Sequence, residues 1–251
     1  MRRDMKILVA TLAFAGLWTA GSRMPGALAS METFRVTDVQ IRGLRYLPRE
    51  EAMALLAVDA QTSVWTDLEA HAEGLSAHTL VQAVRIKRLM PGTLLVEVSE
   101  RRPVALVPTP TLEPVDAEGV LLPIDPARHR LDLPVLEVSE LPVEGARLLP
   151  DRARRLAAEV GRLQEADTAF LQRVSEVHWD ADGMVVARWS EPRVDFLLRP
   201  GTSPRRLREG FAVLGDALIR EPGTVPTLVD LRYADQVVVR RSPSLGTDNA
   251  R

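Results

Sequence analysis

Four histidines, His71, His78, His129 and His178, are the residues best suited to proton transfer or metal ligation, and no two of them stand at metal-ligand spacing. Cysteine is absent, which removes thiolate nucleophiles, thiolate zinc sites, disulfides and a lipid-modified N-terminal cysteine together. There is no G-x-S-x-G elbow, no H-E-x-x-H, no phosphate-binding loop and no dinucleotide glycine pattern. Asp180-x-Asp182 opens like a calcium loop and Glu191 stands at its twelfth position. Its fifth and sixth positions, which need an oxygen ligand and a glycine, are Met184 and Val185. A hairpin turn is expected there instead. Carboxylates are plentiful, but their spacing singles out no catalytic pair. The expectation is a binding protein with no catalytic residue, no metal, no cofactor and no small-molecule substrate.

The elements that would position a binding surface begin with composition. The 251 residues include 34 acidic and 32 basic ones, for a formal net charge of −2, and lysine occurs only at Lys6 and Lys87. That balance provides no basic field for nucleic acid. An apolar content of 46% suffices for one large or two small cores.

Arg2, Arg3 and Lys6 precede an uncharged stretch, 7–21, that includes Ile7, Leu8, Val9, Leu12, Phe14, Leu17 and Trp18. Positive charge ahead of an apolar segment keeps that end in the cytoplasm and sends the rest outward. The segment is short for a span, about 22 Å against a hydrocarbon core of about 30 Å. Ala27-Leu28-Ala29 before Ser30 has the pattern of a signal-peptidase site. Cleaved signal, retained anchor and buried core helix therefore all remain open from the segment alone.

Residues 34–42 alternate in their later half, with Val39 and Ile41 on one face, and predict a half-buried strand ending at Gly43. Pro48 suits a first helical position, with Ala52, Met53, Leu55 and Leu56 at helical spacing behind it. Thr66-x-x-Glu69 reads as a capping box for a second helix carrying Leu68, Ala72 and Leu75. Val84 and Ile86, then Leu94, Val96 and Val98 after Pro91-Gly92, predict a hairpin. Strand, helix, helix, strand, strand gives a small sheet with an open edge, which is a binding surface for an extended peptide.

This order, just outside a membrane segment, resembles a POTRA domain. The run Arg88-Leu-Met-Pro91-Gly-Thr93-Leu94-Leu-Val-Glu-Val-Ser-Glu100-Arg101-Arg-Pro103-Val104-Ala105 resembles the hairpin and exit of that domain in the FtsQ/DivIB division proteins. Pro108, Pro110 and Pro114 predict a stiff connection and a boundary near residue 107. Beyond it, Val115-Asp116-Ala-Glu-Gly119-Val120 reads as a turn into a short strand. Ala153, Leu156, Ala157, Val160 and Leu163 mark a surface helix. Residues 174–179, 184–189 and 194–198 predict an antiparallel meander. Ser203-Pro204 starts a helix with Leu207, Phe211, Leu214 and Leu218 on its buried stripe. Strands at 227–233 and 236–241 close the unit, and Thr227-Leu-Val-Asp230-Leu231-Arg232-Tyr233 through Arg240 resembles the C-terminal signature of the same family.

The expected fold is therefore α+β. A short cytoplasmic tail, 1–6, and a membrane anchor, 7–21, lead into a POTRA domain, 34–107, with β-α-α-β-β order. A mostly antiparallel β domain with flanking helices, 108–241, and a loose tail, 242–251, complete it. The resemblance implies a non-enzymatic divisome scaffold at the septum, in which retention of the anchor gains weight over cleavage. It further implies a single pass through the inner membrane, the bulk of the chain periplasmic, and FtsB/FtsL-type bitopic partners. The partner strand would lie on Gln236, Val237, Val238, Val239 and Arg240, with Arg232 and Tyr233 beside it. A POTRA-type periplasmic chaperone or assembly factor with a cleaved signal is the alternative, and a periplasmic hydrolase ranks third.

Overall fold

The computed structural model describes residues 31–143, 145–220 and 224–243. The expected cytoplasmic tail, the anchor and positions 244–251 of the tail lie outside them. Among the described residues no helix is long and apolar enough to cross a membrane. The chain divides into two compact units after Arg101.

In the first unit, β1 (Asp38–Arg42) runs parallel to β3 (Thr93–Glu100), and β3 pairs antiparallel with β2 (Val81–Leu89), giving the order β1-β3-β2. The expected alternation is seen directly, since Val84 faces Val98 and Ile86 faces Val96 across the hairpin. The first strand begins at Asp38, later than expected: a 3-10 turn occupies Glu32–Phe34, and Arg35 makes only an isolated bridge with Ser63. Gly43 follows β1 at φ +93°, where a Cβ would stand 1.9 Å from the Val98 carbonyl oxygen, so only glycine lets the chain turn against β3. Helix α1 (Arg49–Leu56) buries Ala52 and Leu56, and α2 (Leu68–Ser76) buries Leu68 and Leu75. Two starts differ from expectation by one residue. Pro48 is the N-cap of α1. Asp67, not Thr66, caps α2 by accepting from the Glu69 N–H at 3.0 Å, while the Thr66 hydroxyl donates to the Ser63 carbonyl.

The second unit is one eight-stranded sheet in the order β11-β10-β9-β8-β7-β6-β4-β5. Its first two strands, β4 (Pro103–Pro108) and β5 (Leu112–Asp116), form an antiparallel hairpin where a stiff connection was expected, so the sheet begins before residue 107. The two-residue β6 (Val135–Leu136) joins β4 to β7 (Val174–Trp179) through parallel pairs. The meander β7, β8 (Val185–Trp189) and β9 (Val194–Leu198) is antiparallel as expected. Strand β10 (Thr224–Asp230) is parallel to β9 and antiparallel to β11 (Val238–Pro243). Four of the seven strand contacts are antiparallel and three are parallel, so the sheet is mixed with an antiparallel majority. Helices α3 (Asp151–Ala166), the short α4 (Thr168–Leu171) and α5 (Pro204–Arg220) bury Leu156, Val160, Phe170, Leu207 and Leu214 in one core with Val177, Ala187, Trp189 and Phe196 from the sheet. On α5 the stripe ends at Ala217, and Leu218 is exposed instead of buried.

Candidate partner-binding edge

An eight-stranded open sheet has two edges, and the chain treats them differently. On β5, Pro114 has no N–H to offer, and its carbonyl accepts from the Leu122 N–H at 2.8 Å. The Asp116 N–H donates to the Val120 carbonyl at 3.1 Å, and Val115 bridges Leu121. Residues 120–122 thus lie along that edge and cover it, which is how sheets avoid unwanted pairing. The opposite edge is β11.

Backbone direction along β11 follows from alternation. Leu231 donates its N–H to the Leu197 carbonyl on β9 at 2.9 Å, so Val229 also faces β9, while Leu228 and Asp230 face β11. Asp230 is paired with Val238 and Leu228 with Arg240, and these are the hydrogen-bonded pairs. Val229 opposite Val239 is the non-bonded pair, so the N–H and C=O of Val239 point away from the sheet. Pro226 opposite Arg241 fits the same alternation, because a proline cannot donate across a bonded pair. The Val239 side chain packs against the core from the helix side, and those of Val238 and Arg240 are exposed on the other face.

The expected partner-binding residues are only partly brought together. Val238, Val239 and Arg240 lie in the edge strand, but Gln236 and Val237 precede it. The Arg206 guanidinium on α5 donates to the carbonyls of Gln236 and of Leu231, at 3.3 Å for the latter, and pins the turn ahead of the strand. Tyr233 in that turn is 42% exposed, with the Arg232 guanidinium 6.0 Å from its ring centre. Arg232 itself is engaged within the chain. Its Nη2 lies 2.8 Å from Asp230 Oδ2 and its Nε 3.0 Å from Oδ1, a bidentate grip on a buried carboxylate. Burial opposes ionisation of Asp230, and the side-chain and backbone hydrogen bonds from Arg232 outweigh it, holding that carboxyl below the usual range. On the same outer face Arg188 bridges Glu176 at 2.7 Å and Asp195 at 2.8 Å, tying β7, β8 and β9 into a charged cross-strand trio that sequence reasoning missed. Its residues alternate like any half-exposed strand positions, and only the register shows that they meet.

Among the described residues no three His, Asp or Glu side chains gather to hold a metal. His178 approaches Glu137 and His78 approaches Glu51, at 3.3 and 3.5 Å, as separate pairs.

Residues 34–101 match the family model for the POTRA domain, FtsQ-type. The chain is 30% identical over 230 residues to cell division protein FtsQ of Rhodothermus marinus, covering 88% of this chain and 82% of the relative. Against cell division protein FtsQ of Geobacter sp. strain M21 it is 25% identical over 240 residues, covering 90% and 83%. The solved extracytoplasmic domain of the division protein DivIB from Geobacillus stearothermophilus aligns at 21% identity with a TM-score of 0.32, over 49% of this chain and 99% of that one, and adds no weight. The match at 30% identity over 88% of this chain and the POTRA match over residues 34–101 agree, and the chain belongs to the FtsQ/DivIB family of cell division proteins.

Proposed function

We propose that this member of the division machinery is a non-enzymatic scaffold that captures an extended segment of an FtsB/FtsL-type bitopic partner as an added strand on β11. One observation carries the reading: of the two edges of the large sheet, β5 is covered by its own chain, while β11 turns the N–H and C=O of Val239 outward. Strand addition draws affinity from such main-chain groups and specificity from alternate side chains, here Val238 and Arg240 on the outer face. Tyr233 extends the surface beside the strand as a rigid amphipathic contact. The charge of Arg232 serves mainly to hold Asp230, and its part in binding is to shape the turn. The apolar segment 7–21 anchors the chain with its N-terminus in the cytoplasm and both units in the periplasm.

A proline at position 239 tests the reading. It removes the outward donor and none of the pairs with β10, whereas a proline at 238 would break the Asp230 pair and loosen β11 from its own sheet. Val239→Pro is expected to weaken binding of the partner's periplasmic segment by roughly tenfold in a titration. Unchanged affinity in a variant whose thermal unfolding is unchanged rules strand addition out.

A further inference from the structure

The hairpin joining β2 to β3 ends in two large apolar side chains that the first unit does not bury. Leu89 is 42% and Met90 51% exposed. The main chain beside them is fastened to the start of the fold. Thr37 donates its N–H to the Gly92 carbonyl at 2.7 Å and its hydroxyl to the same oxygen at 3.2 Å, and Asp38 adds its N–H at 3.3 Å. A Cβ on Gly92 would stand 2.6 Å from the Arg35 carbonyl oxygen, so the tip and the incoming chain are in close backbone contact. Met31, 53% exposed, sits just ahead, held by the Phe34 N–H at 3.1 Å. Two exposed apolar side chains, Leu89 and Met90, therefore stand at the pole at which the chain enters the unit, and exposed Met31 precedes that entry in sequence. The far end of β2, by Ala77 and His78, is the opposite pole.

We infer that the Leu89–Met90 tip seats in the interfacial layer of the phospholipid bilayer that holds segment 7–21, as a second membrane contact beside the tether. The inference rests on the anchor reading proposed above. About ten residues separate Gly21 from Met31, and even fully extended they reach no more than about 35 Å, so this pole stays close to the membrane. A tether of that length raises the local concentration of the tip at the bilayer, and a contact too weak to hold a free protein then suffices. The chemistry suits the interface. Leu89 and Met90 supply the apolar volume. Lys87 and Arg88 next to them are engaged within the unit, Lys87 with Glu97 at 2.7 Å and the Arg88 guanidinium with the Val64 carbonyl at 2.6 Å. Glu32 and Asp38 stand near the same pole, so apolar insertion, not a basic patch, carries the attachment. Two contacts fix the tilt of the first unit where one would leave it free to swing.

The absence of cysteine allows a single fluorophore to be placed at will. The full chain, labelled at Met90→Cys or at Ala77→Cys, is reconstituted into vesicles of phosphatidylethanolamine and phosphatidylglycerol carrying a shallow acyl-chain spin label, with flotation read on the same samples. The inference expects the chain to float and the label at position 90 to be quenched at least about fivefold more than that at 77. Adding Leu89→Asp should drop quenching at 90 to the level at 77. A floating chain with equal quenching at the two sites overturns the tip contact and leaves the anchor standing. A chain that does not float overturns the anchor, and the tip contact with it.

Discussion

The carboxylate of Glu100 accepts three main-chain N–H groups, from Arg45, Tyr46 and Leu47, at 2.9, 2.8 and 3.1 Å. It is buried at the end of β3 and shapes the loop that delivers the chain to α1, so a charged side chain in the family motif has a structural task that its neighbours in sequence do not disclose. Glu100→Ala leaves three donors short of an acceptor and is expected to cost about 3 kcal/mol, read as a rise of about a hundredfold in amide hydrogen exchange at residues 45–47. Asp230 and Arg232 make a comparable claim that pH can test. Because the folded state lowers the Asp230 pKa, the pair contributes stability at neutral pH and loses it as pH falls through that depressed value. Arg232→Met removes the counter-charge from a buried acid, so the Asp230 pKa rises and acid unfolding begins at a higher pH than in the parent chain. An unmoved acid midpoint would show that the pair is incidental. Arg232→Glu is a poor probe of partner binding for the same reason, since it sets a second carboxylate against Asp230.

Elements whose residues alternate or repeat on one face were legible. The β2–β3 hairpin shows period two, and the stripe of Ala153, Leu156, Ala157, Val160 and Leu163 on α3 shows the helical period, because one face of each meets water. The β4–β5 hairpin was not legible. Residues 103–107 are all buried and carry no alternation, and three prolines disguise an edge strand in which proline is tolerated. Parallel contacts such as β6 with β4 and β7 join segments distant in sequence, and the two residues of β6 are too few to show any period. The start of α2 lies one residue beyond the expected cap because Thr66 and Asp67 are both good caps, and the Thr66 hydroxyl turns to Ser63 instead. Asp67→Ala should therefore cost about 1 kcal/mol, seen as faster exchange in the first turn of α2, while Thr66→Ser, which keeps the hydroxyl, leaves that turn unchanged. At the binding edge the sequence pattern shows which side chains of β11 are apolar. It does not show which N–H groups face out, because that depends on the pairing of β10 with β9 and on the irregularity between Pro226 and Leu228.

At the scale of the whole chain, two features combine: a POTRA unit that follows an apolar N-terminal segment, and a second unit in which β11 is an edge strand among the described residues. In the proposed function the first would hold the chain at the bilayer and the second would offer a template for pairing. The central claim is that β11 is that template, and amide hydrogen exchange at Val238 and Val239, with and without the partner's periplasmic segment, tests it directly. Val238 donates towards β10 and should be protected in both states, whereas Val239 should exchange readily alone and become protected on binding. Binding that leaves Val239 exchange unchanged, with protection appearing elsewhere, would contradict the account.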